Sequence, residues 1–121
     1  MRQLWEVRIR PRVEKILARM TKQELGKMED TIDLLEEHGP HLETETGGRV
    51  AHALKGTRYP KIKQLTVKAG RSVWRFAYYI DKKQIVHILA GGDKRGVSQK
   101  VFYKRLRAEA EREYEAVERG D

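Results

Sequence analysis

Lys61, Lys63, Lys68, Arg75, Lys94, Arg95 and Tyr103, on or beside a run of short strand-like segments, are candidates to hold and cut a phosphodiester without a metal ion. Metal-free RNA cleavage needs help in deprotonating a ribose 2′-hydroxyl. It also needs cations to stabilise a five-coordinate phosphate and a proton for the departing 5′ oxygen. Converging lysine, arginine and tyrosine can supply these when burial and mutual repulsion lower a lysine or tyrosine pKa. The same cations could instead grip phosphates without turnover, and residue types alone favour that plainer reading.

The histidines add little. His38 and His41 flank the Gly39-Pro40 turn and read as solvent-exposed, and His87 reads as an ordinary strand residue. His52, close to the basic segment, is the histidine kept as an acid–base candidate. There is no H-E-x-x-H, no carboxylate pair at ligand spacing and no cysteine, so no metal site and no cofactor are expected. Neither a P-loop nor G-x-G-x-x-G occurs, and Gly91-Gly92 alone is too short to signal a phosphate cradle.

The charge is concentrated. From Lys55 to Arg107 there are fifteen lysines or arginines and two acids, Asp81 and Asp93. That segment is +13 within a chain of net +8, so the remainder is net −5. A local surplus of this size points to a polyanion, nucleic acid before an acidic protein. The pI is near 9.8. With 121 residues, 39% hydrophobic and 36% charged, the chain is expected to form one globular domain over 1–121. No stretch approaches the ~20 apolar residues of a membrane helix, and the amino terminus lacks the apolar run of a signal peptide. A cytoplasmic protein with no membrane association is the expectation.

The elements that must position these side chains follow from hydrophobic period. Residues 4–10 alternate, which predicts a half-buried strand with Trp5, Val7 and Ile9 on one face. Pro11 ends it, and Val13, Ile16, Leu17 and Met20 recur at helical spacing. Thr21 and Glu24 fit a capping box for a second helix with Leu25, Met28, Ile32 and Leu35 on one stripe, stopping at Gly39-Pro40. The two make a helical hairpin laid on a sheet, with a solvated acidic outer surface. Residues 41–52 read as a polar connection. Strands are predicted at 63–69, 72–80 and 84–90, with Arg75 on the face opposite Trp74, Phe76, Tyr78 and Ile80. Ser98 can cap a last helix bearing Phe102, Leu106, Ala110, Tyr114 and Val117. The fold class is α+β, a twisted antiparallel sheet of about four strands with a helical hairpin and a C-terminal helix.

Two motifs resemble the RelE/ParE superfamily of bacterial toxins, in particular its HigB-like (phage Gp49-like) branch. The first runs Gln64-Leu65-Thr66-Val67-Lys68-Ala69-Gly70, then Trp74-Arg75-Phe76-Ala77-Tyr78-Tyr79. The second, more specific, runs Leu89-Ala90-Gly91-Gly92-Asp93-Lys94-Arg95-Gly96, then Phe102-Tyr103 and a helix with Ala110 and Tyr114. The resemblance spans roughly residues 5–117. It implies a RelE-like fold and the toxin of a type II toxin–antitoxin pair. Many members cut messenger RNA in the ribosomal A site without metal, leaving a 2′,3′-cyclic phosphate. By position, it implies catalytic roles for Lys68, Arg75, Asp93, Lys94, Arg95 and Tyr103, with Arg75 on the scissile phosphate. Lys61 and Lys63 resemble the Lys-x-Lys of RelE-type toxins, although their spacing to Arg75 is longer. With Arg71 and His52 they are the expected RNA contacts. The general base is left unassigned.

The resemblance also implies partners: a cognate antitoxin, an acidic or helix-turn-helix protein on the cationic face or a remote surface and of helix-turn-helix type by preference, the ribosome with its message, and operator DNA only through the antitoxin. Two other readings share the same cations. One is a ParE-like toxin that poisons DNA gyrase and cleaves nothing; the other is a non-enzymatic nucleic-acid-binding module. The grouping Lys68–Arg75–Lys94/Arg95–Tyr103 favours cleavage over the ParE-like reading.

Overall fold

A computed structural model describes residues 3–121. The order is β1 (Val7–Ile9), α1 (Pro11–Leu17), α2 (Lys22–His38), a 3-10 turn (Gly39–His41), α3 (Leu42–Glu45), β2 (Ala51–Ala53), β3 (Lys63–Ala69), β4 (Ser72–Ile80), β5 (Val86–Asp93) and α4 (Gln99–Glu118). One five-stranded sheet has the order β1-β5-β4-β3-β2. The expected antiparallel meander is its centre: β3 pairs β4 and β4 pairs β5 antiparallel.

The sheet departs from the sequence expectation at both edges. β1 covers only 7–9 of the expected 4–10 and lies parallel to β5, Val7 opposite Val86 and Ile9 opposite Ile88, so the sheet is mixed. The long α1–α2 hairpin after β1 leaves room for a parallel strand, which a tight turn could not. The fifth strand, β2, lies inside the stretch read as a connection and pairs antiparallel with β3. Ala-His-Ala carries too little periodicity to announce a strand by itself.

Alternation divides the core between two faces. Leu65, Val67, Phe76, Tyr78, Val86 and Ile88 face Val13, Met28 and Leu35 of the hairpin. Ala77, Tyr79, Leu89 and Ala90 face Phe102, Leu106 and Ala110 of α4. A bulge beside Ala77/Tyr78 leaves Leu89 as the extra residue of β5 and lets two consecutive side chains pack toward α4. The capping box forms as expected. Glu24 Oε1 accepts the Thr21 N–H at 2.9 Å, and Thr21 Oγ1 accepts the Glu24 N–H at 3.1 Å. The same carboxylate takes the Trp74 indole N–H at 2.7 Å, tying the start of α2 to β4.

The Gly-Gly pair belongs to β5 rather than to the loop after it. A Cβ on Gly91 would stand 2.2 Å from Phe76 Cδ1, so the ring lies where a side chain would be. Gly92 approaches Phe102 less closely on the α4 side, its hypothetical Cβ at 3.3 Å. Both glycines are therefore there for close approach within an extended strand.

Candidate functional site

Strand parity turns several of the candidate residues to the α4 face of the sheet. On β3 the residues pointing that way are Gln64, Thr66 and Lys68, and on β4 they are Val73, Arg75 and Ala77. Register places Thr66 directly opposite Arg75 and Lys68 opposite Val73, so Lys68 and Arg75 are diagonal neighbours. On the edge, His52 is opposite Gln64. The sequence thus sets His52, Gln64, Thr66, Arg75 and Lys68 on adjoining strands of one face. Next to them, α4 leaves an open groove of about 450 Å3 lined by His52, Lys55, Gln64, Lys100, Tyr103 and Arg107.

Arg75 is half-buried and its Nη1 donates to the Thr66 hydroxyl. Its Nε is buried and without a protein partner, as is His52 Nδ1. A buried nitrogen without a partner is costly unless something else satisfies it. Burial pushes the His52 imidazole below the ordinary histidine range, and the neighbouring Arg75 charge adds to this, against weaker opposition from the Gly48 backbone, Glu43 and Gln64. At neutral pH His52 is an uncharged base beside a fixed cation. Tyr103, on the second turn of α4, donates its hydroxyl to Gln64 Oε1 at 3.3 Å, and Lys94 Nζ sits 5.5 Å from the centre of its ring. Lys94 is held there by its N–H on the Val73 carbonyl at 2.9 Å.

The remaining sequence candidates lie elsewhere. Asp93 is opposite Trp74 in the register. Its Oδ1 takes the Arg95 N–H at 3.0 Å, and its Oδ2 faces the Arg95 guanidinium at 3.6 Å. The two close the turn that presents Lys94 and do not reach toward Arg75. Lys63 has the opposite parity, on the helical-hairpin face, and is ion-paired with Glu43 at 2.7 Å. Lys61 is exposed before β3, on the groove it shares with Lys63 and Lys82 at the far end of the strand. Arg71 is exposed in the β3–β4 turn. Gln64 and Thr66 were not singled out as site residues. The available signal was two polar residues on a strand with 6% and 9% exposure, which a strand of pure packing would not need.

α4 is divided in charge. Its acids clamp it to the body: Glu109 to Arg12 at 2.8 Å, Glu113 to Arg10 at 2.7 Å, Glu118 to the Tyr79 hydroxyl at 2.9 Å. Glu111 takes the Thr57 hydroxyl and the Arg58 N–H at 3.0 and 2.9 Å, and Glu115 takes the Tyr59 hydroxyl. Its first half instead carries Lys100, Lys104 and Arg105, none of which pairs with a carboxylate among the described residues. Cations near a helix N-terminus oppose the dipole. Lys100 lines the groove, whereas Arg105 lines a separate pocket with Gly91, Gly92 and Glu109.

The sequence model of the family described as "Phage derived protein Gp49-like (DUF891)" matches residues 15–115, most of the chain and all of the groove. No curated protein and no solved structure matches. Among the described residues no helix is long and apolar enough to cross a membrane.

Proposed function

From the chain's membership of the Gp49-like family, a family of RelE/HigB-like toxins associated with toxin–antitoxin pairs, we propose that it is a metal-independent endoribonuclease that cuts messenger RNA on the ribosome. The observation that carries the proposal is the pairing of a neutral, half-buried His52 with Arg75, each with a buried nitrogen that no protein group satisfies.

In the proposed reaction the scissile phosphate docks on the free edge of the Arg75 guanidinium. His52 takes the proton of the ribose 2′-hydroxyl as its oxygen attacks phosphorus. The P–O5′ bond breaks, and the products are a 2′,3′-cyclic phosphate and a 5′-hydroxyl. Lys94 returns a proton to the departing oxygen, and Lys68 adds positive charge beside the phosphate. Asp93 and Arg95 support Lys94 through the turn they close, and Tyr103 lies against the ribose. Lys55, Lys100 and Arg107 of the groove exceed what one phosphate needs, which supports a large RNA partner. Lys61, Lys63 and Arg71 have no part in the chemical step. The antitoxin expected of such a pair is a helix-turn-helix protein whose binding weakens with salt wherever it covers this face.

The test is induced expression with mapping of message ends. Cuts at codon boundaries support cleavage. DNA damage with intact messages would transfer the chain to the gyrase-poisoning reading, and an absence of toxicity would leave a binding module.

A further inference from the structure

Gln64 touches both flanks of the groove. Its side chain, 6% exposed, donates from Nε2 to the Ala53 carbonyl at 3.1 Å and accepts at Oε1 from the Tyr103 hydroxyl at 3.3 Å. The first contact fixes the second. A backbone carbonyl has no hydrogen to give, so the amide nitrogen must face Ala53. The amide oxygen is then left facing Tyr103, and an amide oxygen can only accept. A phenol has one proton, and here it is committed to Gln64. The lone pairs of the Tyr103 oxygen are therefore what the groove receives. Ala53 is on the edge strand that carries His52, and Gln64 is the cross-strand partner of His52, so one amide ties base, edge strand and phenol together.

We propose that Gln64 is a positioning residue that holds Tyr103 as a hydrogen-bond acceptor toward the groove, where its oxygen orients the substrate 2′-hydroxyl for His52. This rests on the cleavage reading above. It excludes Tyr103 as the acid for the leaving oxygen while the Gln64 contact stands, because the phenol's proton is held by the Gln64 amide oxygen.

A double-mutant cycle tests this. Gln64→Met keeps the shape of the side chain but frees the phenol to rotate. The expected result is a roughly tenfold fall in kcat with KM unchanged, matched by Tyr103→Phe, and no further loss in the combined variant. A residue that merely braced the edge strand would give additive losses instead, and that result would overturn the proposal. So would a folded Gln64→Met protein with the wild-type kcat. Should Gln64→Met fail to fold, Gln64→Leu takes its place in the cycle. A second readout needs no activity. The Tyr103 13Cζ NMR signal should move in the Gln64 variant, because the phenol exchanges an amide acceptor for water, and an unmoved signal would overturn the proposal. A wild-type protein that cuts no RNA would sink the cleavage reading and leave this spectrum to decide whether Gln64 orients the phenol.

Discussion

Replacing Arg75 by alanine should separate function from stability. Of the guanidinium's donors, Nη1 is committed to the Thr66 hydroxyl, while Nε has no protein partner. The edge left for a phosphate offers about two charge-assisted hydrogen bonds, each worth about 1.5–3 kcal/mol. Losing them should remove about 3–6 kcal/mol of transition-state stabilisation, roughly a 100- to 10,000-fold fall in kcat/KM. Stability should move by no more than about 1 kcal/mol, since one hydrogen bond is lost but a buried unpaired donor goes with it. A third effect has a definite sign. Arg75 helps to hold His52 below the ordinary histidine range, so the variant's imidazole should titrate at higher pH. In the folded wild type the depressed pKa means fewer bound protons than in the unfolded chain, so stability rises with pH up to about 6.5. Arg75→Ala should shrink that rise and move the acid limb of the rate profile upward. Cleavage rates, thermal melts and an NMR titration of His52 read the three effects. A folded variant with wild-type cleavage would refute the reasoning, as would a melting loss worth several kcal/mol, which would make Arg75 a structural residue.

Other perturbations test the parts that hold the site. Glu24 is held at a pKa of about 2, first by the Thr21 backbone N–H and then by Trp74. Its contribution is present above its ordinary value near 4.5 and fades as pH falls toward about 2. Glu24→Gln should therefore cost about 1.5–3 kcal/mol at pH 7, with urea melts showing the gap narrowing toward pH 3; a constant gap would contradict the assignment. Gly91→Ala puts a methyl group onto the Phe76 ring and should cost about 1–3 kcal/mol, read as a lowered Tm. Neutralising Lys100 and Lys104 together should weaken RNA binding and reduce the salt slope of log K by about 1–2, leaving the melt unchanged; an unaltered slope would remove these lysines from the interface.

The centre of the molecule was legible in the sequence and its edges were not. β3 and β4 alternate cleanly, so Arg75 could be placed opposite Trp74 and Phe76 from period alone. The Thr21–Glu24 box and the stop at Gly39 are local chemistry and could be read locally. β1 and β2 are three residues each and exist because β5 and β3 offer open edges, which is tertiary information. The same limit applied to the site. Lys68, Arg75 and Lys94 could be chosen by type, but their company with His52 and Gln64 depends on β2 being a strand. Parity also sets Lys63 apart from Gln64 and Thr66, since an odd step along β3 turns it to the other face. Asp93 and Arg95 could not be told apart from groove residues until the turn that pairs them was visible.

In the proposed reaction His52 and Arg75 cleave RNA through its own 2′-hydroxyl. Its most direct measurement is the end-group chemistry of messages cut by the purified protein on translating ribosomes, compared with the His52→Ala and Arg75→Ala proteins. The expected products are 2′,3′-cyclic phosphate and 5′-hydroxyl ends from the wild type, with both variants slowed at least roughly 100-fold. Ends bearing 3′-hydroxyl and 5′-phosphate, or cutting that survives in both variants, would contradict it.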